Sequence, residues 1–282
     1  MKNWDEQLDL LIRARTPLIW IRSGEEERVE ALLEKAILRL KPRRLATWDY
    51  IDGLKGISNS QGLGAKQPML VLQWLQKIEP SNPTILLVKD FHRFCEDAGI
   101  ARMLRNLSFQ LQSKPHTIVL VSGQWSPTND LDDALTILDL PLPKELELKN
   151  LLKSISQATG HPLESDVLEK LCHACSGLSE AKVRKVAARA LAQRGKLGLE
   201  DLSEVLEEKR QSVARSEVLE YCETNSSPSD IGGLDALKRW LDQRHQAFSD
   251  EARAFGLPLP RGVLLVGPQG TGKSLTAKVI AN

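Results

Sequence analysis

The 282-residue sequence predicts an α/β fold: a parallel sheet covered by helices, then a small all-helical domain, then the start of a second α/β core. Three observations predict it. Up to residue 144, short continuous apolar runs alternate with amphipathic helical patterns, as strands buried on both faces of a parallel sheet do. Residues 145–215 carry helical periodicity alone. Near the carboxyl end, another apolar run leads into a Gly-rich loop and a further helical stretch.

The first run is Leu18 to Ile21. Val29, Leu32, Leu33, Ala36, Ile37 and Leu40 then recur at spacings of three and four, which gives a helix with one apolar face. Ser23 and Glu26 form a capping-box pattern at its start, and Pro42 ends it. The Gly-rich stretch 52–68 breaks the pattern and is expected to be an exposed loop. Ile85 to Val88 is a second strand. Ile100, Met103, Leu104, Leu107 and Leu111 line one helix face, and "HTIVLVSG" is a third strand. After "LPLPKE" (140–145) come four helical segments, the first three ending in or near Gly. "ETNSSPSD" (223–230) reads as a linker, "IGGLDALKRWLDQRHQAF" as a helix, and Val263 to Val266 as a buried-type strand. The resulting domains are 1–144, 145–215, a linker at 216–230, and 231–282.

Lys and Arg number 38 and Asp and Glu 37, so no global charge draws the chain to nucleic acid or anionic membrane. "KPRR" (41–44) is the best local basic candidate and reads as a solvated helix end. No apolar run approaches the ~20 residues of a membrane span, and the amino-terminal residues carry charges throughout, unlike a secretory leader. The scattered cysteines 95, 172, 175 and 222 are expected to be free thiols in a reducing compartment. Cys172-His173-Ala174-Cys175 has C-x-x-C spacing, with His161 the only additional histidine nearby, and its cysteines read as buried helix cysteines rather than a zinc site. Asp130, Asp132 and Asp133 lack the Gly and distal Glu of a calcium loop and read as a helix start. The dispersed tryptophans form no stacking ladder.

The chemistry lies in Gly267, Pro268, Gln269, Gly270, Thr271, Gly272, Lys273 and Ser274, which fit G-x-x-x-x-G-K-[ST] at every fixed place. Glycines let the backbone curl so that its N–H groups converge on phosphate oxygens, and the following helix turns its positive end to the same anion. Lys273 reaches the β- and γ-phosphates, and Ser274 offers a hydroxyl to Mg²⁺.

"DIGGLDALKRWL" followed by "LPLPRGVLLVGPQGTGKSLTAKVIAN" resembles the opening of an AAA-family ATPase domain. The resemblance places Ile231, Gly232 and Gly233 near the adenine and implies ATP and Mg²⁺ as ligands. Gln269 stands where the family usually has proline, and Ser274 where it more often has threonine. A Walker-B acid pair, a sensor, an arginine finger and a lid have no room after Ser274. The chain is therefore expected to be the front of a longer protein and inactive alone, with its catalytic residues unassigned.

Residues 18–215 resemble a second, degenerate AAA core of the P-loop NTPase-like kind, followed by its helical lid. Where a phosphate loop should stand it has "RSGEEERV": Glu25, Glu26 and Glu27 favour the helix dipole but repel a triphosphate, and no lysine matches Lys273. Lys89 and Asp90 replace the two acids of a Walker-B strand, and Ser122 falls near the sensor position. This copy is expected to bind no ATP. The arrangement most resembles the AAA proteins encoded as hypothetical chloroplast reading frames in cyanobacteria and algal plastids, which implies cytoplasm or plastid stroma. It also implies an ATPase, acting as a homo-oligomer, that couples hydrolysis at the second module to remodelling of a protein partner, the first module serving docking or assembly. A nucleotide-switched interaction scaffold without significant hydrolysis is the alternative. Nucleic-acid machinery shares the fold but has no support in the balanced charge.

Overall fold

The computed structural model describes residues 3–40, 42–123, 125, 127, 129–214, 231–249, 252, 255–258 and 262–280. The expected linker 216–230, Cys222 and Lys41 lie outside the described residues. The chain forms two compact units, residues 1–208 and 209–282.

The first unit opens with α1 (Trp4–Arg13), whose Leu8 and Ile12 are buried. The β1 strand (Leu18–Arg22) then feeds α2 (Glu26–Arg39), and β2 (Arg44–Asp49), β3 (Gly53–Lys55) and α3 (Pro68–Lys77) follow. After β4 (Thr84–Lys89) come α4 (Ala98–Gln110), β5 (Thr117–Ser122), a short α5 (Asn129–Asp132) and β6 (Thr136–Asp139). The sheet order is β3-β2-β4-β5-β1-β6, with only the β2–β3 pair antiparallel. Alternate side chains of each strand face opposite sides. Trp20, Trp48, Leu86 and Leu120 meet α3 and α4 on one face, while Ile19, Ile21, Leu87 and Val119 meet α1 and α2 on the other.

A separate helical layer follows: α6 (Glu145–Ala158), α7 (Ser165–Cys175), α8 (Glu180–Arg194) and α9 (Leu202–Ala214). The first three and the start of α9 share an apolar cluster within residues 148–205. Cys172 and Cys175 are buried in that cluster, and the Cys172 thiol donates to the Glu145 carbonyl at 3.2 Å. Among the described residues no side-chain cluster has the makings of a metal site, and no helix is long and apolar enough to cross a membrane.

Three local expectations are corrected. The stretch 52–68 is not simply an exposed loop: β3 pairs with β2, Leu54 is fully buried, and Leu54 N–H donates to the Leu63 carbonyl at 2.9 Å. The glycines permit this close fold-back. Gly53 has φ +71°, and a Cβ there would meet the Gly62 carbonyl oxygen at 2.5 Å. The Ser23/Glu26 capping box does not form. The helix begins at Glu26, and the Ser23 hydroxyl instead accepts the Glu25 N–H at 3.0 Å, making a tight turn before the helix. Finally, Val263 to Val266 form no strand in the second unit. Leu264 and Val266 are 88% and 83% exposed. A strand exists only through its neighbours' hydrogen bonds, and no described residue pairs with this segment.

Candidate functional site

In the second unit, α10 (Asp235–His245) precedes the Gly-rich loop, and the closing helix spans Lys273–Ile280. Gly270 and Gly272 adopt φ +86° and +76°, which side chains with a Cβ rarely do. The Thr271 hydroxyl donates to the Pro268 carbonyl at 2.8 Å, and Thr276 N–H donates to the Gly272 carbonyl at 2.8 Å, so the helix starts directly off the loop. The N–H groups of its first turn lack intrahelical acceptors and carry the positive end of the dipole. The Lys273 ammonium folds back to donate to the Gly267 carbonyl at 2.8 Å and to the Pro268 carbonyl. Gln269 and Ser274 are exposed. These residues fit a polyphosphate: a curled backbone with open space at Gly270 and Gly272, a cation at its head and a hydroxyl in the first turn. Ile231 is buried, its carbonyl accepting the Lys238 ammonium at 2.6 Å, and Gly233 has φ +68°. Among the described residues, no hydrogen bond joins Ile231, Gly232 or Gly233 to the loop.

The corresponding place in the first unit is the turn from β1 into α2, at the carboxyl end of the parallel strands and beside the reversal of strand order, where α/β sheets place ligands. Here Ser23 N–H donates to the Ser122 carbonyl at 3.0 Å. The Ser122 hydroxyl is taken by Trp20 Nε1 at 2.8 Å, so it is a strand-end acceptor. Asp90 has φ +52°, and its neighbour Lys89 is paired with Glu30 at 2.8 Å. Burial pushes the Glu26 carboxyl up, as do the Asp90, Asp49 and Glu30 carboxylates, with Lys89 opposing. A cleft of about 330 Å³ opens here, lined by Glu25, Glu26, Glu27 and Arg28 from the turn and Glu180 and Arg184 from α8. Of these, Arg28 has a side chain only 8% exposed. Arg28 meets Glu25 at 3.1 Å, Glu147 at 3.2 Å, Glu180 at 3.9 Å and the Pro141 carbonyl at 2.8 Å.

Residues 4–140 match the family model described as SpoVK-like AAA ATPase, N-terminal domain, and residues 146–216 match the second domain of the same family. The chain belongs to the SpoVK-like AAA ATPase family. Relatives agree. The AAA domain-containing protein ycf46 of Guillardia theta is 41% identical over 97% of this chain and 54% of its own length. That of Trieres chinensis is 37% identical over 99% of this chain and 56% of its own. The chain thus spans about half the length of the curated relatives it matches. Among solved structures, domain III of the replication initiation protein DnaA from Thermotoga maritima aligns with TM-score 0.47 at 12% identity, over 73% of this chain and 92% of that one.

In this SpoVK-like AAA ATPase chain, Gly267, Pro268, Thr271, Gly272 and Lys273 come together in one loop, whereas Lys89 is paired with Glu30, the Ser122 hydroxyl accepts from Trp20, and the Asp90 side chain is exposed. The sequence reading missed Arg28. Its local partner Glu25 stands at i−3, a common surface pairing, and its other partners are more than a hundred residues away, so no local pattern marks it as buried.

Proposed function

We propose that the intact protein is an AAA-type ATPase that binds ATP and Mg²⁺ at its second module, with the first module non-catalytic and used for docking or assembly. The carrying observation is the loop of Gly270 and Gly272, curled in the left-handed region with Lys273 at the head of a helix. Backbone N–H groups of 267–274 would hold the phosphates. Lys273 would exchange its contacts with the Gly267 and Pro268 carbonyls for phosphate oxygens, and the Ser274 hydroxyl would take Mg²⁺. Bound Mg²⁺ supplies charge neutralisation on the phosphate oxygens. Ile231, Gly232 and Gly233 would flank the adenine, as the family resemblance implies. Hydrolysis would drive remodelling of a protein partner by a homo-oligomer, in plastid stroma or cytoplasm.

The test is Mg-ATP titration of the intact protein. Lys273→Ala is expected to weaken binding by about tenfold to a hundredfold, the weight of a charged hydrogen bond, and to abolish ADP production. Equal affinity in both proteins refutes the reading. Binding without turnover supports the nucleotide-switched scaffold.

A further inference from the structure

The apolar clusters of the first unit do not cross from sheet to helical layer. Two line the faces of the sheet, and the third stays within the helices. Among the described residues, hydrogen bonds and ion pairs cross, one of them joining Lys144 to Asn3 at 3.3 Å. From the α2 side come Glu25 and Arg28; from the helical side come the Pro141 carbonyl, Glu147, Glu180 and the first turn of α8. That first turn is closed by two acceptors: Ser179 takes Lys182 N–H at 3.4 Å, and the Glu25 carboxylate takes Ala181 N–H at 3.2 Å. Arg184 adds a second cation, paired with Glu180 at 2.6 Å. The Glu25 carboxylate thus sits between a buried guanidinium and a helix N-terminus, an environment suited to a bound anion. The anion is supplied by the chain itself.

We infer that Glu25 is a built-in ligand: the Glu25–Arg28 pair, with Glu147, Glu180 and the Ala181 amide, locks the helical layer onto the sheet layer in one arrangement that needs no nucleotide and does not respond to it. This goes beyond the proposed ATP site and stands without it. The first module is then a rigid, permanently closed part, and any nucleotide-driven motion belongs elsewhere in the protein.

Hydrogen exchange on the 282-residue chain tests the lock. Glu25→Gln keeps shape and one acceptor and removes the charge, and Arg28→Met removes the guanidinium. In both, exchange across residues 178–184 is expected to rise about tenfold or more, with β4 and β5 as slow as in wild type. Unchanged exchange of 178–184 in the Glu25→Gln chain overturns the lock. Should Arg28→Met also loosen the sheet, Glu25→Gln alone decides. In a second arm, Mg-ATP is added to the wild-type chain and, separately, to the Lys273→Ala chain. Unaltered exchange at 178–184 is expected, and a nucleotide-induced change there overturns the inference. Because Lys273→Ala disables only the other loop, failure of the ATP reading and failure of the lock are separately visible.

Discussion

Single residues show where chemistry and strain concentrate. Gly53 allows the β3 fold-back, and Gly53→Ala places a Cβ against a carbonyl in a left-handed conformation. It is expected to cost roughly 1–3 kcal/mol, read by urea denaturation. Cys95 is buried and its thiol is pushed up to about 12 by desolvation. It should resist iodoacetamide at pH 8 in the native chain and react only on unfolding, as mass spectrometry will show. His116 is fully buried, with Nδ1 accepting the Thr84 N–H at 3.2 Å. Burial lowers its affinity for a proton, and Lys114, Arg43 and Arg44 lower it further, against the Ile78 carbonyl. A lowered folded value means that the unfolded chain binds the proton more readily. The stabilising contribution is therefore complete above the unfolded histidine range near pH 6.5 and is lost as pH falls below it toward the folded value. His116→Gln should flatten that acid-side loss in denaturation midpoints measured across pH.

Elements follow from patterns that are local in sequence. The strand and helix periodicities at 18–40 and 85–122 are legible because each side chain's face is set by its position along the strand or helix. α8 starts at a residue the sequence alone favours. Ser179 caps it through the Lys182 N–H, and Ser179→Ala is expected to cost about 1 kcal/mol, measured by thermal denaturation. Less legible were β2, whose run Arg44–Asp49 mixes charge with apolar residues, and β3, three residues long in a Gly-rich stretch. Their burial comes from neighbours, not from their own composition. Val263 to Val266 fails the other way. Its residues have strand character, but strand identity is a property of a pair.

At the scale of the molecule, the first unit holds two apolar regions, sheet and helical, joined by a charged junction. Leu86→Ala in the sheet and Leu152→Ala in the helices should each cost about 2–5 kcal/mol. With Arg28 present, both are expected to lower one common thermal transition. With Arg28→Met, calorimetry should resolve two transitions, of which Leu152→Ala moves only one. A single transition that both substitutions still shift in the Arg28→Met background would show that the layers are coupled by something other than this network.

By itself the sequence determined the parallel α/β core, the helical stretch after it and a Gly-rich turn into a helix at 267–274, because periodicity and glycine spacing act over a few residues. It also showed that acids occupy the first turn where a loop would bind phosphate. Only the tertiary structure decided what those acids do. Glu25 finds its partners at Arg28, three residues on, and at Ala181, and Arg28 finds Glu147 and Glu180. Partners more than a hundred positions apart leave no trace in local pattern, since Coulomb attraction and hydrogen bonding depend on distance in space, and the fold alone sets that distance.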